Sequence, residues 1–115
     1  MQTDIELTAR FVKDVGNMIK EIFVELNKKP KFKNNFNLEG NEIRSKDYDK
    51  RIYLFADTLL PERRAKTIRF QMTGLGKKDF FTQVTVDKNG TGYSRKELDN
   101  AKSFILFKIC ELLKL

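Results

Sequence analysis

Histidine and tryptophan are absent from this chain of 115 residues, and cysteine occurs once, at Cys110. Without histidine the chain lacks the usual general base and the commonest neutral metal ligand. One cysteine without histidine excludes the ordinary zinc sites and any disulfide within the chain, which favours a reducing, cytoplasmic location. These absences predict a protein that has no metal site and no cofactor and is not an enzyme.

Several longer signals are also missing. The chain has no glycine-rich loop of the kinds that hold nucleotide phosphates, no signal peptide, and no apolar run long enough to span a bilayer. Asp47 and Asp49 lie two positions apart, but lysines and an arginine surround them. They predict a solvated charge cluster rather than a magnesium site. We therefore expect no membrane partner and no bound metal.

Positive charge is what the chain has in excess. It carries 23 Lys and Arg against 16 Asp and Glu, a net charge of +7, and a pI near 9.6. Residues 1–30 balance five basic against five acidic side chains, whereas residues 61–90 hold seven basic and three acidic ones. Such a balance is typical of nucleic-acid-binding domains, and a soluble protein with a basic surface is the plain alternative.

Helical periodicity marks both ends of the chain. Apolar residues recur every three or four positions over residues 4–28, after a capping pattern formed by Thr3 and Glu6. The same pattern follows Ser94 and Glu97 and predicts a second helix that continues to the C-terminus, with Cys110 as a buried structural thiol. Residues 29–49 show no period and are interpreted as a long polar connection that is mobile, functional or contains a short element.

Strand-like alternation fills the middle of the chain. It predicts strands at 50–57, 66–73 and 79–87, the first of which also fits helical spacing. The length suits one domain, residues 1–115. The expected fold is therefore α+β, ordered α-β-β-β-α, with a small antiparallel sheet covered on one face by the two long helices.

Two clusters of cations are candidates for binding phosphate. Arg95 and Lys96 occupy the first turn of the last helix, where backbone N–H groups attract anions and cations are otherwise unfavourable. We expect Lys77 and Lys78 to join them in one patch. In the connection, Lys31 and Lys33 alternate with Phe32 and Phe36; the lysines suit phosphate, whereas the phenylalanines are better interpreted as anchors to the core.

The run from Phe81 through Gly90-Thr91-Gly92-Tyr93-Ser94-Arg95-Lys96-Glu97 and into the last helix, residues 81–113, resembles the C-terminal half of a double-stranded RNA-binding domain. The resemblance implies that Arg95, Lys96 and Lys102 contact phosphates across the major groove. It also implies that the loop ending in Lys77 and Lys78 meets one minor groove and that the first helix meets the next.

Two other functions are open on the sequence. If both helices cover one face of the sheet, the other face presents aromatic residues and arginines that could stack and hold a single strand: Arg51, Tyr53, Phe55, Arg69, Phe81 and Gln83. Alternatively, the chain is a protein–protein module. It would then dock on an acidic partner, or form a homodimer through the apolar seam of the first helix: Val12, Val15, Ile19, Ile22 and Leu26.

Overall fold

We analysed a computed structural model that describes residues 4–47, 49–60, 65–73, 78–87 and 92–115, and the side chains of 6–47, 49–56, 80–87 and 92–115.

The apolar stripe of the first helix forms one side of the core. Helix α1 covers Asp4–Leu26. It buries side chains spaced three or four residues apart, namely Leu7, Phe11, Val15, Met18, Ile19, Ile22 and Leu26.

The segment 29–49 contains three short elements. Helix α2 (Pro30–Lys33) begins with proline at a first-turn position, and strands β1 (Phe36–Glu39) and β2 (Glu42–Ser45) form an antiparallel hairpin. Gly40 has a φ of 63°, a left-handed conformation that glycine adopts without strain, at the first position of the two-residue turn. The sequence allowed this segment to be mobile, to be functional or to contain a short element of secondary structure. The structure supports the last of these.

The three predicted strands are confirmed as β3 (Arg51–Leu60), β4 (Ala65–Thr73) and β5 (Lys78–Thr85). With the hairpin they make a five-stranded antiparallel sheet in the order β1-β2-β3-β4-β5, so consecutive strands are neighbours. The first of them, which also fitted helical spacing, is a strand because it pairs on both sides. Its pairing with β4 shifts register between Ala56 and Leu59.

The last helix, α3 (Arg95–Leu113), begins where the sequence predicts. The Ser94 hydroxyl accepts the Glu97 N–H at 3.2 Å, as an N-cap should. The Glu97 carboxylate accepts the backbone N–H of Thr85, at the end of β5, at 3.4 Å. Farther along α3, Lys108 Nζ lies 5.5 Å from the centre of the Phe80 ring. Helix α3 therefore runs antiparallel to β5.

One face of the sheet is buried by the helices. Its side chains pack with α1 and α3 in a single core that includes Ile43, Ile52, Val84, Val86, Ile105 and Ile109. The fold is a single α+β domain with an antiparallel sheet and a long helix at each end, which confirms the predicted class. Cys110 is half-buried beside this core. No helix in the described ranges is long and apolar enough to cross a membrane.

The apolar seam proposed for dimerisation has its partner inside the chain. Val15, Ile19, Ile22 and Leu26 are buried against the core, whereas Val12 remains 54% exposed. A homodimer through this seam is therefore not supported, because the stripe is wide enough to pack on a sheet and the sheet already covers it.

Tyr93 ties the turn after β5 to α1. Its hydroxyl donates to Asp14 Oδ2 at 2.6 Å, and its ring meets Phe11 edge-to-face with centroids 5.6 Å apart. The guanidinium carbon of Arg10 lies 4.5 Å from the ring centre. Burial, together with the hydrogen bond and charge of Asp14, raises the pKa of Tyr93 above its ordinary value.

Replacing Tyr93 with phenylalanine should lower the free energy of unfolding by about 1–3 kcal/mol at neutral pH, because the hydroxyl donates to a carboxylate. A raised folded-state pKa means that this part of the stability is present below pH 10.0 and is lost as the pH rises further. Urea unfolding at neutral and strongly alkaline pH measures both effects. Wild type should lose more stability than the variant at alkaline pH.

Tyr53→Phe is the matched control, because within the described ranges its hydroxyl accepts from Arg51 and donates to no carboxylate. Equal losses in the two variants would contradict the special role of the Asp14 contact.

Candidate functional site

The sheet face turned away from α1 and α3 carries most of the residues that the sequence places there. The side chain of Arg69, which the sequence also places on this face, lies outside the described ones. In β3 and β5 alternate side chains point to opposite faces, so burial of Ile52 and Val84 directs their neighbours outward. We call this surface the outer face and define it by Arg51, Tyr53, Phe55, Phe81 and Gln83. All five are half-buried or exposed.

Two aromatic rings on the outer face stack on each other, and a third is exposed to solvent. Tyr53 and Phe55 stack with centroids 5.7 Å apart and planes inclined by 19°. Phe81 is 57% exposed on the edge strand β5. The backbone of Arg69 pairs with Phe55 on one side and Phe81 on the other, so the three residues form one row across the sheet.

Two arginines face each other at the end of the outer face. Arg44 and Arg51 are direct cross-strand partners, an arrangement that is unfavourable unless the charges are matched. Arg44 contacts Glu42 and lies 3.4 Å from Glu39. Arg51 Nη1 donates to the Tyr53 hydroxyl at 3.1 Å and forms no ion pair within the described ranges. Among the described residues, the charge of Arg51 is therefore not matched by a carboxylate.

Arg44 is not among the residues that the sequence predicts for a site, because residues 29–49 show no period and predict a connection. The available signal was Gly40-Asn41 between two short alternating runs, since a two-residue turn beginning with glycine joins hairpin strands.

Acidic side chains contact two of the three predicted cations on α3, Arg95 and Lys102. Arg95 Nη2 lies 3.4 Å from Glu21 Oε1, and its Nε lies 3.1 Å from Asp99 Oδ1. The hydrogen bond with Glu21, with the charge of Asp99, raises the pKa of Arg95. Lys102 Nζ lies 3.5 Å from the same glutamate. The third predicted phosphate contact on α3, Lys96, is exposed and has no ion-pair partner within the part of the chain that the structure describes.

The prediction of one patch joining Lys77 and Lys78 to Arg95 and Lys96 is wrong in its geometry. Lys77 lies outside the described residues, and Lys78 begins β5. The opposite end of β5, at Thr85, contacts the start of α3. Seven strand residues at about 3.3 Å each separate Lys78 from that end by roughly 23 Å.

The aromatic residues of the segment around α2 anchor it to the core. Phe32 and Phe36 are buried and stack on each other, with centroids 4.7 Å apart and planes at 5°. Their interpretation as anchors is confirmed. Lys31 and Lys33 are exposed on α2, and Lys31 lines a pocket at the end of the sheet.

The outer face offers stacking surfaces, a guanidinium group and an amide. Groups of these kinds are suited to binding and orienting a ligand, and none of them is a nucleophile or a general base at neutral pH. The described residues also contain no group of three or more His, Cys, Asp or Glu that could hold a metal ion.

Comparisons with known proteins give the chain no relative from which a role could be transferred. No family model matches it, and neither characterised proteins nor solved structures provided a match. The resemblance of residues 81–113 to a double-stranded RNA-binding domain stays a prediction.

Proposed function

We propose that this chain binds single-stranded nucleic acid on the outer face, without catalysis. Tyr53, Phe55 and Phe81 stack bases, and Arg51 contacts the phosphate backbone, with Arg69 placed by its register between two of the aromatic residues. The observation that carries the proposal is the row of aromatic residues on a sheet face that the helices leave uncovered. Stacking of this kind accepts any base, because every base has a π-face.

The positive charge of the chain also favours nucleic acid as the ligand. The net charge of +7 attracts a polyanion from a distance, and this attraction weakens as salt is added. At close range, Arg44 and Arg51 stand opposite each other, and only Arg44 has carboxylates beside it in the described structure. A phosphate at Arg51 would supply the counter-charge that this arginine does not receive from the described residues.

A single strand fits the outer face better than a duplex. A duplex keeps its bases stacked inside the helix, so exposed aromatic rings gain nothing from it, whereas an unpaired strand can turn its bases onto the sheet. The duplex mode implied by the resemblance relies on Arg95, Lys96 and Lys102, and two of these, Arg95 and Lys102, already lie beside Glu21. A protein partner that buries the same aromatic residues is the alternative outcome of the experiments.

The double variant Arg95→Ala and Lys96→Ala separates the two nucleic-acid modes. Under our proposal its affinity for a single-stranded oligonucleotide should stay within about 0.5 kcal/mol of wild type, as expected for surface changes away from a site. Fluorescence anisotropy with single-stranded and duplex probes of one sequence, over a range of salt, measures this. Wild type should prefer the single strand. Preference for the duplex, with weakened binding and a flatter salt dependence in the variant, would instead support the patch at α3.

A further inference from the structure

A pocket of about 520 Å³ lies at the end of the sheet, where α2, the open end of the β1–β2 hairpin and the C-terminal end of α3 meet. Its volume falls within the range of sites that hold small molecules. We call it the sheet-end pocket. Its lining consists of Lys31, Asn35, Phe36, Ser45, Lys46, Asp47, Lys50, Leu113 and Leu115.

The lining divides into an apolar part and a cationic part. Phe36, Leu113 and Leu115 supply apolar surface, and three lysines supply positive charge. Lys50 Nζ lies 2.9 Å from Asp49, so its charge is matched. Lys31 and Lys46 have no carboxylate partner in the described ranges. The two parts of the lining suit a ligand in which an anionic group is attached to an apolar or aromatic group.

Two acidic residues lie at this end of the sheet: Asp47 lines the pocket, and Asp49 lies two positions farther along the chain. Asp49 accepts the Ser45 hydroxyl at 2.6 Å and lies 2.9 Å from Lys50 Nζ. The negative charge of Asp49 is therefore matched by Lys50, which leaves Lys31 and Lys46 for a ligand.

Hydrogen bonds between the segments of the lining fix the walls before any ligand arrives. The Lys46 N–H donates to the Asn35 carbonyl at 2.8 Å, and the side-chain amide of Asn35 donates to the Lys31 carbonyl at 2.5 Å. The Lys50 N–H donates to the Ser45 hydroxyl at 2.9 Å. A preorganised site loses less entropy when it binds.

We propose that the sheet-end pocket binds the phosphate and base of one nucleotide, with Lys31 and Lys46 contacting the phosphate and Phe36, Leu113 and Leu115 contacting the base. The choice of a nucleotide over another apolar anion rests on the function proposed above. Lys50 precedes Arg51 directly in the chain, so a strand on the outer face could reach the pocket at the sheet end. The ligand is either a free mononucleotide or the phosphorylated end of that strand.

Isothermal titration of the full chain with adenosine monophosphate tests the site, with adenosine and inorganic phosphate as the two partial ligands. We expect the monophosphate to bind about tenfold more tightly than adenosine, because charged hydrogen bonds to phosphate are added to the apolar contact. The variant Lys31→Ala with Lys46→Ala should lose that preference. Lys29→Ala with Lys33→Ala removes the same charge from the same segment outside the pocket lining and should keep it.

A second comparison identifies the source of the nucleotide. A linear oligonucleotide with a terminal phosphate should bind more tightly than the circular form of the same sequence if the pocket takes a strand end, and equally if it takes a free nucleotide. Equal binding of adenosine and its monophosphate would overturn the site. The site would also be overturned if the Lys31→Ala and Lys46→Ala variant lost stability but kept its preference for the monophosphate. In that case the two lysines only offset the dipole at the C-terminal end of α3.

The two proposals fail separately. If oligonucleotides bind through the aromatic residues of the outer face while the monophosphate does not bind, the pocket inference is overturned and the proposed function stands. If the monophosphate binds at the lysines while no oligonucleotide binds, the proposed function fails and the pocket is a mononucleotide site.

Discussion

Replacing Phe81 with alanine should weaken the binding of a single-stranded oligonucleotide roughly 5- to 150-fold, because one stacking contact contributes roughly 1–3 kcal/mol. Phe81 is 57% exposed, so its ring contributes little to the core. The thermal unfolding midpoint should therefore change little while the dissociation constant rises. Fluorescence anisotropy gives the constant, and circular dichroism gives the midpoint for the same preparation.

The matched control for Phe81 is Phe107, which is 64% exposed on α3. Phe107→Ala removes the same ring from the helical layer, on the other side of the sheet from the outer face. We expect its oligonucleotide affinity to equal that of wild type. Equal weakening by both variants would mean that general hydrophobic contact drives binding, and no weakening by Phe81→Ala would remove the outer face as the site.

The salt dependence provides an independent measure of the charged contact. Arg51→Ala should lower the slope of the logarithm of affinity against the logarithm of salt concentration by about 0.7, the value for one phosphate contact on a single strand. Phe81→Ala should leave this slope unchanged, because stacking releases no counterions.

Replacing Ile19 with aspartate should unfold the protein. Ile19 is 1% exposed in the middle of the core, and an unpaired carboxylate there costs about 4 kcal/mol or more. Domains of this size are stable by only about 5–15 kcal/mol, so the loss takes most of the available stability. Urea unfolding followed by circular dichroism should show a large fall in the midpoint, or no folded baseline at all.

Val12→Asp is the control on the same helix, because Val12 is 54% exposed. Its free energy of unfolding should stay within about 0.5 kcal/mol of wild type. The same pair of variants tests the dimer seam that the sequence suggested. If Ile19→Asp stays folded and converts a dimer into a monomer on a sizing column, the stripe is an interface between chains and the intramolecular packing described above is wrong.

Much of the fold could be predicted from local patterns. The alternation of Ile68, Phe70 and Met72 with polar residues predicts β4, and the Ser94 cap predicts the start of α3. The β1–β2 hairpin was missed because each of its strands has four residues, too few for a period to appear. Its turn chemistry at Gly40 was the remaining signal.

The candidate site was predictable in part. The aromatic residues and the arginine of the outer face follow from alternation, once one face is assigned to the helices. The patch joining Lys78 to Arg95 failed because it depends on which end of β5 meets α3. That choice follows from the direction in which the chain returns over the sheet, and nothing in the local sequence encodes it.

By itself the sequence determined the α+β class, the two long helices and the residues of the outer face, because apolar periodicity is a property of neighbouring positions. Only the tertiary structure decided which cations have partners. Glu21 on α1 meets Arg95 on α3 across a separation of 74 positions, while Arg51 on β3 lies opposite Arg44 on the neighbouring strand β2. Charge matching depends on distances in space, so a composition of +7 could not show where the unmatched charge would lie.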